Sequence, residues 1–89
     1  MYQSFELKTI TGTPDNDGLI DTGIKWSDYV IVSVYCLDRA GWHFEPWVNN
    51  SSSSLSANNW LIRVYTPTGS TPSGSYNINI FDLKRTVFR

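Results

Sequence analysis

The feature that most constrains this chain is its punctuation. Clusters of Gly, Pro, Asp, Asn and Ser at residues 11–18, 38–41, 49–59 and 67–74 interrupt segments rich in β-branched and aromatic residues. Each turn residue reverses the chain for its own reason. Gly supplies positive φ, Pro fixes φ, and Asn and Asp bond back to the backbone. In 89 residues this spacing predicts one domain over 1–89, an all-β fold, namely a small antiparallel β-sandwich or barrel of six or seven strands. Thirteen aromatics, seven Ile, six Val and eight Thr agree, because these side chains suit a pleated, half-buried surface.

Between the clusters, residues 19–24, 29–37, 42–48, 60–65 and 76–84 read as strands. Residues 1–17 are a possible N-terminal strand, with a connecting loop to a larger protein. The apolar run from Tyr29 to Leu37 reads as the strongest and most central strand. In the closing segment Tyr76, Ile78 and Ile80 alternate inward and Asn77 and Asn79 outward.

Gly41 sets the expected register of a hairpin. A type I turn followed by Gly41 in the left-handed conformation gives a three-residue loop with Asp38 opposite Trp42. Cys36 then lies beside Phe44 and Val34 beside Pro46. Val30, Val32, Val34, Cys36, Trp42, Phe44 and Val48 share the core face. A one-residue slip would bring His43, Glu45 and Trp47 onto that face instead.

Several function classes are disfavoured. The net charge of −1 and the lack of a cationic stripe argue against duplex nucleic acid. They also weigh against a single-strand platform, despite aromatics interleaved with Arg63, Lys84 and Arg85. The lone Cys36 cannot form an internal disulfide and falls among valines, which reads as an inert core thiol. His43 with Glu45 lacks the third ligand a metal needs, so no metal or cofactor is expected. Glu45, Asp38 and Asp28 do not specify a buried acid pair, and the chain reads as a non-enzyme. No apolar run is long enough for a spanning helix, so no membrane insertion is expected. For so short a chain the inward residues fall short of offsetting the ordering entropy, and oligomerisation would relieve the deficit.

The opposite face of the expected hairpin is unusually apolar, with Tyr29, Ile31, Ser33, Tyr35 and Leu37 from one strand and His43, Glu45 and Trp47 from the other. Such a face either packs against another sheet or subunit or binds a ligand. In the expected register Tyr35 lies beside Glu45 and Ser33 beside Trp47. Sugars suit an indole flanked this way, since their C–H faces stack on rings while their hydroxyls need polar partners. The expected ligand contacts are Trp47, His43, Glu45, Tyr35, Asn49 and Asn50, the two amides opening the polar loop 49–59, which is expected to be mobile.

The run Asp21-Thr-Gly-Ile-Lys-Trp-Ser-Asp-Tyr-Val-Ile-Val-Ser-Val-Tyr35, with Trp60-Leu-Ile-Arg-Val-Tyr65 and Tyr76-Asn-Ile-Asn-Ile-Phe-Asp-Leu-Lys84, resembles the C-terminal tip domains of bacteriophage tail fibres and receptor-binding proteins. The likeness covers roughly residues 18 to 84 and lies in strand order and texture. It implies a small β-sandwich, usually trimeric, carried on a fibrous stalk in the virion and binding saccharide or protein on a host surface. Residues 1–89 contain no collagen-like or heptad stalk pattern, and no family binding residue carries over. Two other readings stand beside it. One is a carbohydrate-binding or interaction domain of a bacterial surface protein, outside the cell. The other is a purely structural virion subunit.

Overall fold

The computed structural model describes residues 5–48 and 58–84. It contains six strands: β1 (Phe5–Gly12), β2 (Leu19–Lys25), β3 (Tyr29–Tyr35), β4 (His43–Val48), β5 (Asn59–Tyr65) and β6 (Tyr76–Lys84). They form two antiparallel sheets, ordered β1-β6-β3 and β2-β5-β4, and the fold is a small β-sandwich. β1 pairs with β6 from Phe5↔Leu83 to Gly12↔Tyr76, so residues 5–12 form an edge strand of this sheet.

Every link except β4 to β5 crosses from one sheet to the other. The expected hairpin is therefore corrected. β3 pairs with β6 and β4 with β5, so Cys36 and Phe44 are not ladder partners, although both are buried in the common core. The chain changes sheets through two successive turns, in which Arg39 N–H donates to the Cys36 carbonyl and Trp42 N–H to the Arg39 carbonyl. Gly41 holds φ of +83° at the third position of the second turn, the place where a type II turn favours glycine. The left-handed Gly41 expected from the sequence is present, but it serves a crossing between sheets.

β3 is an edge strand and not a central one. Its ladder to β6 shifts between Ile31↔Asp82 and Ser33↔Phe81, leaving Val32 as an extra residue. Such a bulge inverts the alternation, and it also blunts an exposed edge. Ile31 faces inward before it and Val34 and Cys36 after it, while Val30 turns out and Val32 is 54 % exposed. Val48 is exposed as well, and Trp42 is only half-buried against the core. Of the seven residues expected to share the core face, Val34, Cys36, Trp42 and Phe44 reach it.

The core is completed by Ile20, Ile24, Ile62, Val64, Tyr76, Ile78 and Ile80. The inward row of β6 is the one read from the alternation. Gly12 brings β1 close to β2, because any side chain there would overlap Ile20. In β2 the bulge around Thr22 is satisfied internally: its Oγ1 donates to the Trp60 carbonyl at 2.6 Å and accepts from Ile24 N–H at 3.0 Å. No helix among the described residues is long and apolar enough to cross a membrane.

Candidate ligand-binding face

Strand alternation places His43, Glu45 and Trp47 on the outer face of the β2-β5-β4 sheet, as expected from the sequence. Their ladder partners are Tyr65, Arg63 and Leu61 of β5. Leu61 is fully buried although it lies on this outer side, and it anchors the face beneath half-exposed neighbours. Ring and guanidinium contacts then link Arg63 diagonally to Trp47, as long side chains in an antiparallel pair can, Arg63 to Tyr65 along β5, and Tyr65 to His43 directly across the ladder. The Arg63 Cζ lies 5.2 Å from the Trp47 ring centroid and 5.5 Å from that of Tyr65. The Tyr65 and His43 rings are 5.5 Å apart at 30°.

The result is a continuous row, Trp47, Arg63, Tyr65 and His43, with Glu45 beside the Tyr65 phenol. Partial burial, then hydrogen bonding to Glu45 and the carboxylate's negative charge, raise the Tyr65 pKa above its ordinary value. The phenol therefore stays protonated and able to donate. Among the described residues Arg63 forms no ion pair, so its guanidinium is held by ring faces and keeps N–H donors for a ligand.

Tyr65 and Arg63 also line one side of a cleft of about 290 Å³ at the end of β5. One wall is the turn at 15–18. The Asp15 carboxylate accepts from the N–H groups of Asp17 at 2.8 Å and Leu19 at 3.0 Å, and Val64 N–H donates to the Gly18 carbonyl at 2.8 Å. The other wall is the turn at 66–70, where the Thr66 hydroxyl donates to the Ser70 carbonyl at 2.9 Å and the Thr68 and Ser70 hydroxyls lie 3.0 Å apart. Asn16, Asp17, Thr66, Ser70 and Thr71 thus surround the space with hydroxyls, an amide and a carboxylate. Ligand pockets begin at roughly 300 Å³, so the volume suits about one ring of a saccharide.

Tyr35 is corrected out of this row. It stands on β3 in the other sheet, opposite Asn79, and Ser33 faces Phe81 instead of Trp47. Tyr35 does line, with His43, Trp42 and Arg39, a separate groove of about 480 Å³ between the β3 and β4 edges. Asn49 and Asn50, and the expected mobility of loop 49–59 through residue 57, lie outside the described residues. Arg63 and Tyr65 are the residues of this candidate face that sequence reasoning missed. Their outward position was visible in the alternation of 60–65, but the strand they face was not.

No family model matches this chain, and no curated protein or solved structure matches it.

Proposed function

We propose that this chain is a non-enzymatic adhesion module that binds a surface saccharide across the β4–β5 face, in the manner of a receptor-binding tip of a phage tail. The observation that carries the reading is the row Trp47–Arg63–Tyr65–His43 running toward a hydroxyl-lined cleft. Ring faces supply stacking area for sugar C–H groups. Arg63, Glu45 and the cleft hydroxyls supply donors and acceptors, so a sugar loses few hydrogen bonds on leaving water. Glu45 and Asp17 balance the single Arg63 charge, which favours neutral over strongly anionic saccharides.

A trimer of this chain, carried in the virion, completes the proposal. Its contact is the outer face of the β1-β6-β3 sheet, where Phe5 and Leu7 are 60 % and 62 % exposed and Phe5 meets Phe81 edge-on at 5.2 Å. Self-association there would cover apolar area that a thin core leaves in water.

The test is a glycan array read with the wild-type chain and with Trp47→Ala. Reproducible binding to a restricted set of glycans, lost in the variant, is the expected result. Silence across a broad array, together with tight self-association, would replace this reading with that of a structural virion subunit. Saccharide binding by a strictly monomeric chain would favour the surface-protein domain.

A further inference from the structure

The inward row of β6 continues past Tyr76, Ile78 and Ile80 to an aspartate. Asp82 is 0 % exposed, and its ladder neighbours are Glu6 on β1 and the buried Ile31 on β3. Lys8 reaches it from β1, with Nζ 2.6 Å from Asp82 Oδ2 and 3.1 Å from Glu6 Oε2. The Tyr29 ring closes over the same nitrogen at 4.0 Å from its centroid. Among the described residues Asp82 Oδ1 has no hydrogen-bond partner. A buried carboxylate with one oxygen unsatisfied is an expensive arrangement, and the pair that neutralises it recovers only part of the cost of burial. An amide between the same two groups would carry no charge.

We propose that Lys8 and Asp82 condense into an intramolecular isopeptide bond, with Glu6 as the proton carrier. The Lys8 ammonium first passes a proton to Oδ2 along their 2.6 Å contact, leaving a neutral amine beside a neutral acid. The Nζ lone pair attacks Cγ, and Glu6 Oε2 takes one amine proton. The Cγ–Oδ2 bond then breaks as Glu6 returns that proton to the departing hydroxyl. One water leaves, Nζ and Cγ are joined, Glu6 is again a carboxylate, and no oxidant or other reactant is consumed. The remaining N–H stays directed at Glu6, and the orphaned Oδ1 becomes a neutral amide oxygen. Burial works against the Lys8 ammonium, but Asp82 and Glu6 prevail and raise its pKa. Proton transfer inside the pair, and not loss to solvent, therefore starts the reaction.

The bond would tie the first strand to the last across a sequence separation of 74 residues. A cross-link of that span restricts the unfolded chain much as a disulfide does. It would do so in a chain whose single cysteine, Cys36, is buried and free.

Intact-mass spectrometry of the folded, purified chain tests the proposal. The expected result is a mass lower than the sequence mass by one water, with a branched tryptic peptide joining residues 1–25 to 64–84 and no cleavage after Lys8. Lys8→Arg keeps the charge and the ion pair but cannot close the bond, and should restore the full mass. Glu6→Gln keeps both reacting groups and should leave most of the chain unlinked. A folded wild-type chain that holds its full mass after prolonged incubation overturns the proposal, and rapid linkage in Glu6→Gln overturns the role of Glu6.

Discussion

The two sheets turn very different outer faces to solvent. On β2-β5-β4 every exposed ring has a polar companion: Arg63 lies against Trp47 and Tyr65, and Glu45 stands beside the Tyr65 phenol. On β1-β6-β3 the part of the face built by β1 and β6 separates polar from apolar groups. Thr9 bonds Asn79 at 3.0 Å and Thr11 bonds Asn77 at 2.8 Å at one end, while Phe5, Leu7 and Phe81 gather at the other. An apolar surface with donors and acceptors built into it suits a hydroxylated ligand that stays partly wet. One without them suits a dry contact with another protein surface. The proposed saccharide site and the proposed self-contact thus lie on different faces, and substitutions can separate them.

The largest effect should come from the core that both sheets share. Trp42 packs on the core and meets Tyr76 edge-on at 5.3 Å, so Trp42→Ala should cost about 3 kcal/mol of stability in a denaturant titration. Saccharide affinity of the folded fraction should not change. If the variant folds normally yet loses binding, the ligand lies in the β3–β4 groove that Trp42 lines, and the assignment of faces fails.

Trp47→Ala should act the opposite way. Loss of a stacking aromatic should weaken saccharide binding by about 1 to 3 kcal/mol in calorimetry, while the unfolding midpoint stays nearly unchanged. Arg63→Ala should weaken the same binding, because it removes the group that bridges Trp47 and Tyr65. A Trp47→Ala chain that fails to fold would mean that this face is covered and structural.

The opposite sheet offers the third test. Phe5→Ser should weaken self-association by on the order of 1 kcal/mol per subunit contact, read as a falling mass in light scattering on dilution. Saccharide affinity per chain should be unaffected. Loss of saccharide binding along with the oligomer would show that the two faces are coupled and not independent.

Which face each residue occupies was legible wherever a strand keeps strict alternation, as in β6, and in β4 for His43, Glu45 and Trp47. It was lost in β3. The run from Tyr29 to Leu37 is apolar on both sides, so its pattern contains no signal for the bulge at Val32 that inverts it. The partner of β4 was lost for a different reason. A short connection ordinarily joins neighbours in a sheet, and the same Gly41 geometry serves a hairpin and a crossing equally well. Hence the platform was half visible: one strand was read correctly, and Arg63 and Tyr65 replaced Ser33 and Tyr35 across from it. Asp82 escaped notice because it continues an apolar row at the spacing of a core residue, and only the fold brings Lys8 and Glu6 to it.

The smallest effect probes the polar companionship that sets the β4–β5 face apart. Tyr65 titrates above the usual tyrosine value of 10.0 because of partial burial and then because of Glu45. The sign follows from the neutral phenol being favoured by the fold. This contribution to stability is fully present below the unfolded-state pKa and is lost as pH rises through the higher folded-state value. Glu45→Gln removes the negative charge but not the burial, so the Tyr65 titration, followed by NMR of its ring, should move down toward the ordinary value without reaching it. The arginine nearby works in the same direction as that substitution, since its positive charge already lowers the Tyr65 pKa. Arg63→Ala should therefore move the titration up while Glu45→Gln moves it down. Opposite shifts from two neighbours on adjacent strands require both to face the same phenol, and shifts of one sign would mean that the row is not assembled around Tyr65.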